Sequence, residues 1–173
     1  MNTIASHLTA RHVNVELHRP FIDETEGIVT FLLFNLSGQI VGTQQYRPSA
    51  SKERKNDPRT GRYFTRKSSR TLAVFGLESL HLNPNVLFVT EGIFDAVRLT
   101  SVGMPAIAAL SNNPTSDLLN FLHCLNRTIV VVCDCDTAGR ALAKFGDVVI
   151  TLKEKDLGDA SQDTVDALVR RFL

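Results

Sequence analysis

The sequence predicts an α/β protein: a four-stranded parallel sheet flanked by helices, preceded by a small N-terminal lobe that contains a β-hairpin. Three observations carry this. In the C-terminal half, apolar runs of strand length alternate with helical patterns of about ten residues, which implies right-handed crossovers and a parallel sheet covered on both faces. Two of those runs, VLFVTE and TIVVVCDCD, stop abruptly on carboxylates. In the N-terminal half, GIVTFLLF and QIVGTQQY flank NLSG, where Asn35 starts a turn and Gly38 closes it. The boundary is expected to leave residues 1–82 as the lobe and 83–173 as the parallel-sheet domain.

In order along the chain, Ile4 to His12 allows a short helix, and acids at Asp23, Glu24 and Glu26 precede the hairpin over Gly27 to Tyr46. The segment Arg47 to Arg70 holds Pro48, Pro58 and Gly61, with Tyr63 and Phe64 almost its only apolar residues, so a loop or loosely ordered ribbon is expected. AVFGLESLHLN then reads as a connector, packed down by Leu72, Val74, Phe75 and Leu77. Beyond it come strand Val86–Val89, helix Ile93–Val102, strand Pro105–Leu110, a helix capped by Thr115 or Ser116, strand Thr128–Cys133, helix Ala138–Phe145 and strand Val148–Leu152. Ser161 caps a final helix whose Val165, Leu168, Val169 and Phe172 fall on one face.

A chain of 173 residues suffices for one well-filled core and a small appended lobe. Its 43% hydrophobic and 21% charged residues are ordinary for a globular protein. No apolar run approaches a membrane span, and MNTIASHLTARHV lacks the layout of a secretory signal, so a cytoplasmic protein with no membrane partner is expected. Cys124, Cys133 and Cys135 are an odd set without the paired spacing of a zinc module; no zinc is expected, and Cys133 and Cys135 read as small buried hydrophobes.

Net charge is only +1, but it is unevenly spread. Arg47, Lys52, Arg54, Lys55, Arg59, Arg62, Arg66, Lys67 and Arg70 face only Glu53 and Asp57, a local balance of +7, while residues 1–46 sum to −2 and 71–173 to −4. Such density, interrupted by two aromatics, points to contact with nucleic acid or nucleotide.

The acids give the chemistry. A carboxylate at the carboxyl end of a buried parallel strand sits at the edge where open α/β folds bind ligands, so Glu91, Asp134 and Asp136 can converge although 43 residues separate the first two. Acids so gathered repel unless a cation or proton intervenes. Hard oxygen ligands suit a magnesium-type ion, which takes one or two carboxylates plus water and substrate phosphates. The reading is metal-dependent phosphate chemistry. Asp95 falls in the first helical turn after Glu91, where an acid also complements the helix dipole.

Glu91-Gly92-Ile93-Phe94-Asp95 and Asp134-Cys135-Asp136-Thr137-Ala138-Gly139, each ending a hydrophobic strand and separated by one βα repeat, together resemble the Toprim domain. That domain is shared by bacterial and phage primases, topoisomerases and a group of nucleases. The resemblance covers Val86 to Leu152 and extends toward the primase branch. Downstream, Lys153-Glu154-Lys155-Asp156-Leu157-Gly158-Asp159 resembles the acidic segment after the last Toprim strand. Upstream, the hairpin, Arg62-Tyr63-Phe64 and Val74-Phe75-Gly76-Leu77 are laid out like the stretch before the glutamate in primases.

The resemblance implies a catalytic and metal-binding core of Glu91, Asp134 and Asp136, with Asp95 and Asp156 as further metal contributors and Asp159 a lesser one. It implies Mg2+, with Mn2+ as a substitute, and primer synthesis from nucleoside triphosphates on single-stranded DNA. A helicase or other replication protein is the expected partner, in a phage or mobile element acting in the host cytoplasm. Arg140 either neutralises phosphate or pairs with an acid on its own helix. A Toprim nuclease and a non-catalytic nucleic-acid-binding accessory protein are the competing readings. Against the primase pattern, no zinc module precedes the hairpin, no GxxxxGK[ST] loop is present, the N-terminal lobe is short, and Ser111-Asn112-Asn113 stands where glycine is usual.

Overall fold

The structure, a computed structural model, describes residues 3–53, 57–68, 72–110, 115–134, 141–152 and 156–173. Helix α1 (Ile4–Ala10) starts where the Thr3 hydroxyl accepts a hydrogen bond from the Ser6 amide, and stops before His12, whose φ is +60°. A single turn, α2 (Val15–His18), leads into four strands: β1 (Phe21–Asp23), β2 (Ile28–Phe34), β3 (Ile40–Tyr46) and β4 (Tyr63–Lys67). They form an antiparallel sheet in chain order. The β2–β3 turn is held by Asn35, whose side-chain oxygen accepts from the amides of Ser37 and Gln39.

The hairpin is thus the middle of a larger sheet, and the basic segment is not all loop. Tyr63, Phe64 and Thr65 are good strand formers, and β3 would otherwise expose a row of unpaired amides and carbonyls. Pairing of β4 with β3 satisfies them in the register Tyr46↔Tyr63, Gln44↔Thr65 and Gly42↔Lys67. Along β2, Val29, Phe31 and Leu33 are fully buried while their neighbours are half-buried, so one face of this sheet is the core face.

The second sheet is parallel, with β5 (Val86–Thr90) and β7 (Thr128–Asp134) inside and β6 (Ala106–Ala108) and β8 (Val148–Leu152) at the edges. Helices α3 (Ile93–Thr100), α4 (Ser116–Cys124) and α5 (Gln162–Val169) flank it, and residues 141–143 are helical between β7 and β8. The sequence expectation holds for these elements, with β6 and α3 trimmed at their ends.

Every residue of β5 is buried, and alternation sends its side chains to two cores. Leu87 and Val89 join Ile129, Val131, Leu118, Leu122 and Leu142 on one face. Val86 and Phe88 join Val130 and Val132 on the other, in a cluster that also takes in α3, α5 and the core face of the antiparallel sheet. The connector is paired to both sheets: Val74 bridges Phe34, and Phe75 bridges Ala108. Gly76 follows at φ +94°, where a Cβ would lie 2.3 Å from the Ala106 carbonyl oxygen, so only glycine permits this approach. Among the described residues no helix is long and apolar enough to cross a membrane.

Candidate functional site

Strands β5 and β7 are neighbours, paired from Val86↔Thr128 to Val89↔Val131. Glu91, the residue after β5, and Asp134, the last of β7, therefore leave the sheet at the same edge. Both are exposed and line one cavity of about 360 Å³, together with Asp95 and Asp156. Gln44 and Tyr63, from the core face of the antiparallel sheet, form its opposite wall. The cavity sits where the two sheets meet.

Local backbone geometry places the second pair of acids. The Thr90 hydroxyl donates to the Gly92 carbonyl and fixes the turn off β5. A Cβ on Gly92 would meet the Asp95 carboxylate at 2.9 Å, so the missing side chain lets Asp95 fold back beneath the turn. One amide, that of Gly158, donates to both Asp95 Oδ1 (3.0 Å) and Asp156 Oδ1 (2.8 Å). Burial, then the hydrogen bond with Asp156 and that residue's charge, push the Asp95 carboxyl up to about 7, against the opposing pull of the Gly158 N–H. The charge of Asp134 adds to the rise. Asp95 thus retains a proton near neutrality.

Asp159 is engaged elsewhere, in an ion pair with Arg11, whose guanidinium also lies 4.4 Å above the Phe94 ring. Asp136, Arg140 and Ser111-Asn112-Asn113 lie outside the described residues, as does Cys135. Cys133 is buried, with its sulfur 3.9 Å from the Ile150 carbonyl oxygen, and Cys124 is exposed. Among the described residues no group of three or more His, Cys, Asp or Glu is gathered closely enough to hold a metal ion. The acids lining the cavity nonetheless offer carboxylate oxygens, the type that suits magnesium, and two such carboxylates suffice when water and phosphate complete the shell.

The basic segment does not act as one block. Arg54, Lys55 and Arg70 fall outside the described residues. Arg47 donates to Gln45 Oε1 and Arg62 Nε to the Ala50 carbonyl, so both help shape the loop. Arg59 pairs with Asp57. Lys52, Arg66 and Lys67 are exposed. Alternation along β4 puts Lys67 on the same face as Tyr63, the cavity face, and Arg66 on the other. No lysine or arginine lines the cavity among the described residues.

Sequence reasoning missed an aromatic column beside the acids. Tyr46 stacks on Tyr63 across the β3–β4 pair, with centroids 5.2 Å apart and planes inclined by 27°. His7 stacks on Tyr46 at 5.7 Å and 28°, and its Nε2 is 2.9 Å from the Tyr46 hydroxyl. Phe94 meets Tyr46 edge-on at 4.7 Å. Burial raises the Tyr46 phenol and pushes that of Tyr63 up to about 12, while burial and then the charges of Arg11 and Arg62 hold His7 low. The column is therefore uncharged at neutral pH. Its only sequence signal was the presence of Tyr46 and Tyr63; pairing them needs the register.

Residues 88–159 match the family model described as Toprim-like. That stretch, less than half of the chain, is similar to Toprim-like domains. Around it the fold extends to primase catalytic cores. The DnaG primase catalytic domain bound to ssDNA superposes with a TM-score of 0.65 at 22% identity, over 84% of this chain and 51% of that one. The E. coli primase catalytic core gives 0.59 at 24%, over 84% and 48%. The primase fragment of the bacteriophage T7 primase-helicase gives 0.62 at 18%, over 95% and 72%. The chain thus spans about half the length of the bacterial catalytic cores it matches. At these identities the likeness is one of fold, and it includes the antiparallel sheet as well as the stretch 88–159. Among curated proteins nothing matches.

Proposed function

We propose that the chain is the core of a metal-dependent nucleotidyl transferase, a primase-like enzyme that joins nucleoside triphosphates on single-stranded DNA. The observation that carries this reading is the shared cavity: carboxylates from the ends of two adjacent parallel strands and from the α3 and 156–159 turns, faced by a polar and aromatic wall of the antiparallel sheet. Glu91 and Asp134, with Asp136 two residues beyond Asp134 in sequence, would hold a divalent ion, Mg2+ or Mn2+, whose chemistry is to screen the triphosphate and lower the pKa of the attacking 3′ hydroxyl. Asp95 and Asp156 support that pair from behind, and the raised pKa of Asp95 lessens the repulsion among the four acids. Lys52, Arg66 and Lys67 are exposed cations of the basic segment that would meet the phosphate backbone of the template. The protein contributes mainly position and electrostatics. Partners in this reading are the template strand, nucleoside triphosphates and a helicase or other replication protein.

The test is incubation of the chain with labelled single-stranded DNA, nucleoside triphosphates and Mg2+ or Mn2+. Wild type should yield new short products dependent on the triphosphates, and Glu91→Gln and Asp134→Asn should yield none while keeping a wild-type circular dichroism spectrum. Equal activity in the variants would remove the proposed chemistry. Shortening of the labelled strand without triphosphates would reassign the site to a nuclease.

A further inference from the structure

We propose that the outer ring face of Tyr63 is a stacking platform for a nucleobase, set beside the carboxylate cavity and held rigid by the rings behind it. The proposal deepens the reading of the cavity as a nucleotide site and rests on it.

Tyr63 is exposed in an unusual way. Its partner Tyr46 covers one face of the ring, yet Tyr63 keeps 46% of its surface accessible and lines the cavity. Tyr46 is only 4% exposed, and its hydroxyl is tied to His7. Phe94, 5% exposed, braces both tyrosines edge-on, at 4.7 Å from Tyr46 and 6.4 Å from Tyr63. Tyr46, the inner ring of the stack His7–Tyr46–Tyr63, is thus locked, with Phe94 braced edge-on against it, and Tyr63 ends the stack in the open. An aromatic held this way has already lost its rotamer freedom, so a base that stacks on it orders little else. Base–aromatic stacking tolerates any sequence, because every base has a π-face.

The neighbours on the same sheet face suit what is attached to a base. Gln44 Nε2 donates to Thr65 Oγ1 at 2.8 Å, and Lys67 follows two residues further along β4. A neutral ring, then an amide and hydroxyl, then a cation run outward from the acid cavity. A base on Tyr63 leaves its sugar and phosphate beside polar groups and Lys67. The bland alternative is that Tyr63 only shields Tyr46 and Phe94 from water, which predicts a stability role and no dependence on bases.

The nucleobase can belong to the template strand or to a nucleoside triphosphate, and separate titrations distinguish them. With the full chain in Mg2+ buffer, fluorescence anisotropy measures binding of labelled oligo(dT) and of an abasic strand of equal length. Tyr63→Leu should weaken oligo(dT) roughly five- to a hundredfold and leave the abasic strand unchanged, and Tyr63→Phe should bind as wild type does. Competition by ATP, measured in the same variants, shows whether the mononucleotide uses the platform too. The chain has two tyrosines and no tryptophan, so its intrinsic emission comes from Tyr46 and Tyr63 alone. Bound base should quench it, and Tyr63→Phe should lose most of that quench at unchanged affinity.

If Tyr63→Leu is unstable, the Tyr63→Phe quench still decides. Unchanged binding of both oligo(dT) and ATP by Tyr63→Leu, or an equal loss for the abasic strand, overturns the platform. So does a quench that survives undiminished in Tyr63→Phe. Stacking without primer synthesis would instead refute nucleotidyl transfer and leave the platform standing.

Discussion

Replacing Asp95 with asparagine keeps the acceptor for the Gly158 amide and removes the acid, so it isolates the energetic cost of gathering carboxylates at this edge. Asp95 titrates at an ordinary 3.8 in the unfolded chain and is pushed up to about 7 in the folded one. Between roughly pH 4 and pH 7 the native state therefore holds a proton that the unfolded chain has released, and stability falls as pH rises through that window. Above the window both states have lost it and the slope vanishes. Three pH units at about 1.4 kcal/mol each set a ceiling of about 4 kcal/mol, and water in the open cavity reduces it to roughly 2 kcal/mol. For a chain of this length that corresponds to roughly 4–8 °C in Tm. Thermal melts followed by circular dichroism in EDTA should show wild type and Asp95→Asn together at low pH and diverging toward pH 8, with the variant the more stable. Magnesium should raise the wild type at pH 8 more than the variant. Parallel curves across the whole range would refute the account of Asp95.

Gly76→Ala should cost about 3 kcal/mol or more, because the added Cβ meets a backbone oxygen at 2.3 Å and φ is +94°; an unchanged midpoint in urea would contradict this. Lys67→Ala should weaken single-stranded DNA binding and lower the salt slope by about one unit, whereas Arg59→Ala, already paired with Asp57, should change both little. Anisotropy titrations over a range of salt concentrations measure both, and equal slopes for the two variants would refute the assignment.

The parallel half was legible because each buried strand announces itself by composition, and the acids after β5 and β7 mark the edge where they stop. Glu91 and Asp134 could be placed together from topology alone, since adjacent parallel strands end side by side. The lobe was harder. Proline, glycine and charge between Arg47 and Arg70 argued for a loop, and outweighed the strand preference of Tyr63, Phe64 and Thr65; the open edge of β3 decided otherwise. The meeting of Asp95 and Asp156 at the single Gly158 amide is a tertiary contact, which no residue pattern encodes. Arg98 was equally hidden: on α3 it is only 1% exposed, reaching the Ala160 carbonyl at 3.4 Å, in a helix that reads as an apolar one.

Phe31, Tyr46 and Phe94 meet edge to face between the two sheets, at 5.9 and 4.7 Å, so both walls of the acid-lined gap stand on one foundation. Neither side can swing away without parting those rings, which makes the gap an aperture of fixed width rather than a jaw. On the proposed reading, a strand entering the gap would have to fit the protein, and tolerance for different guests would be built at the rim, one side chain at a time.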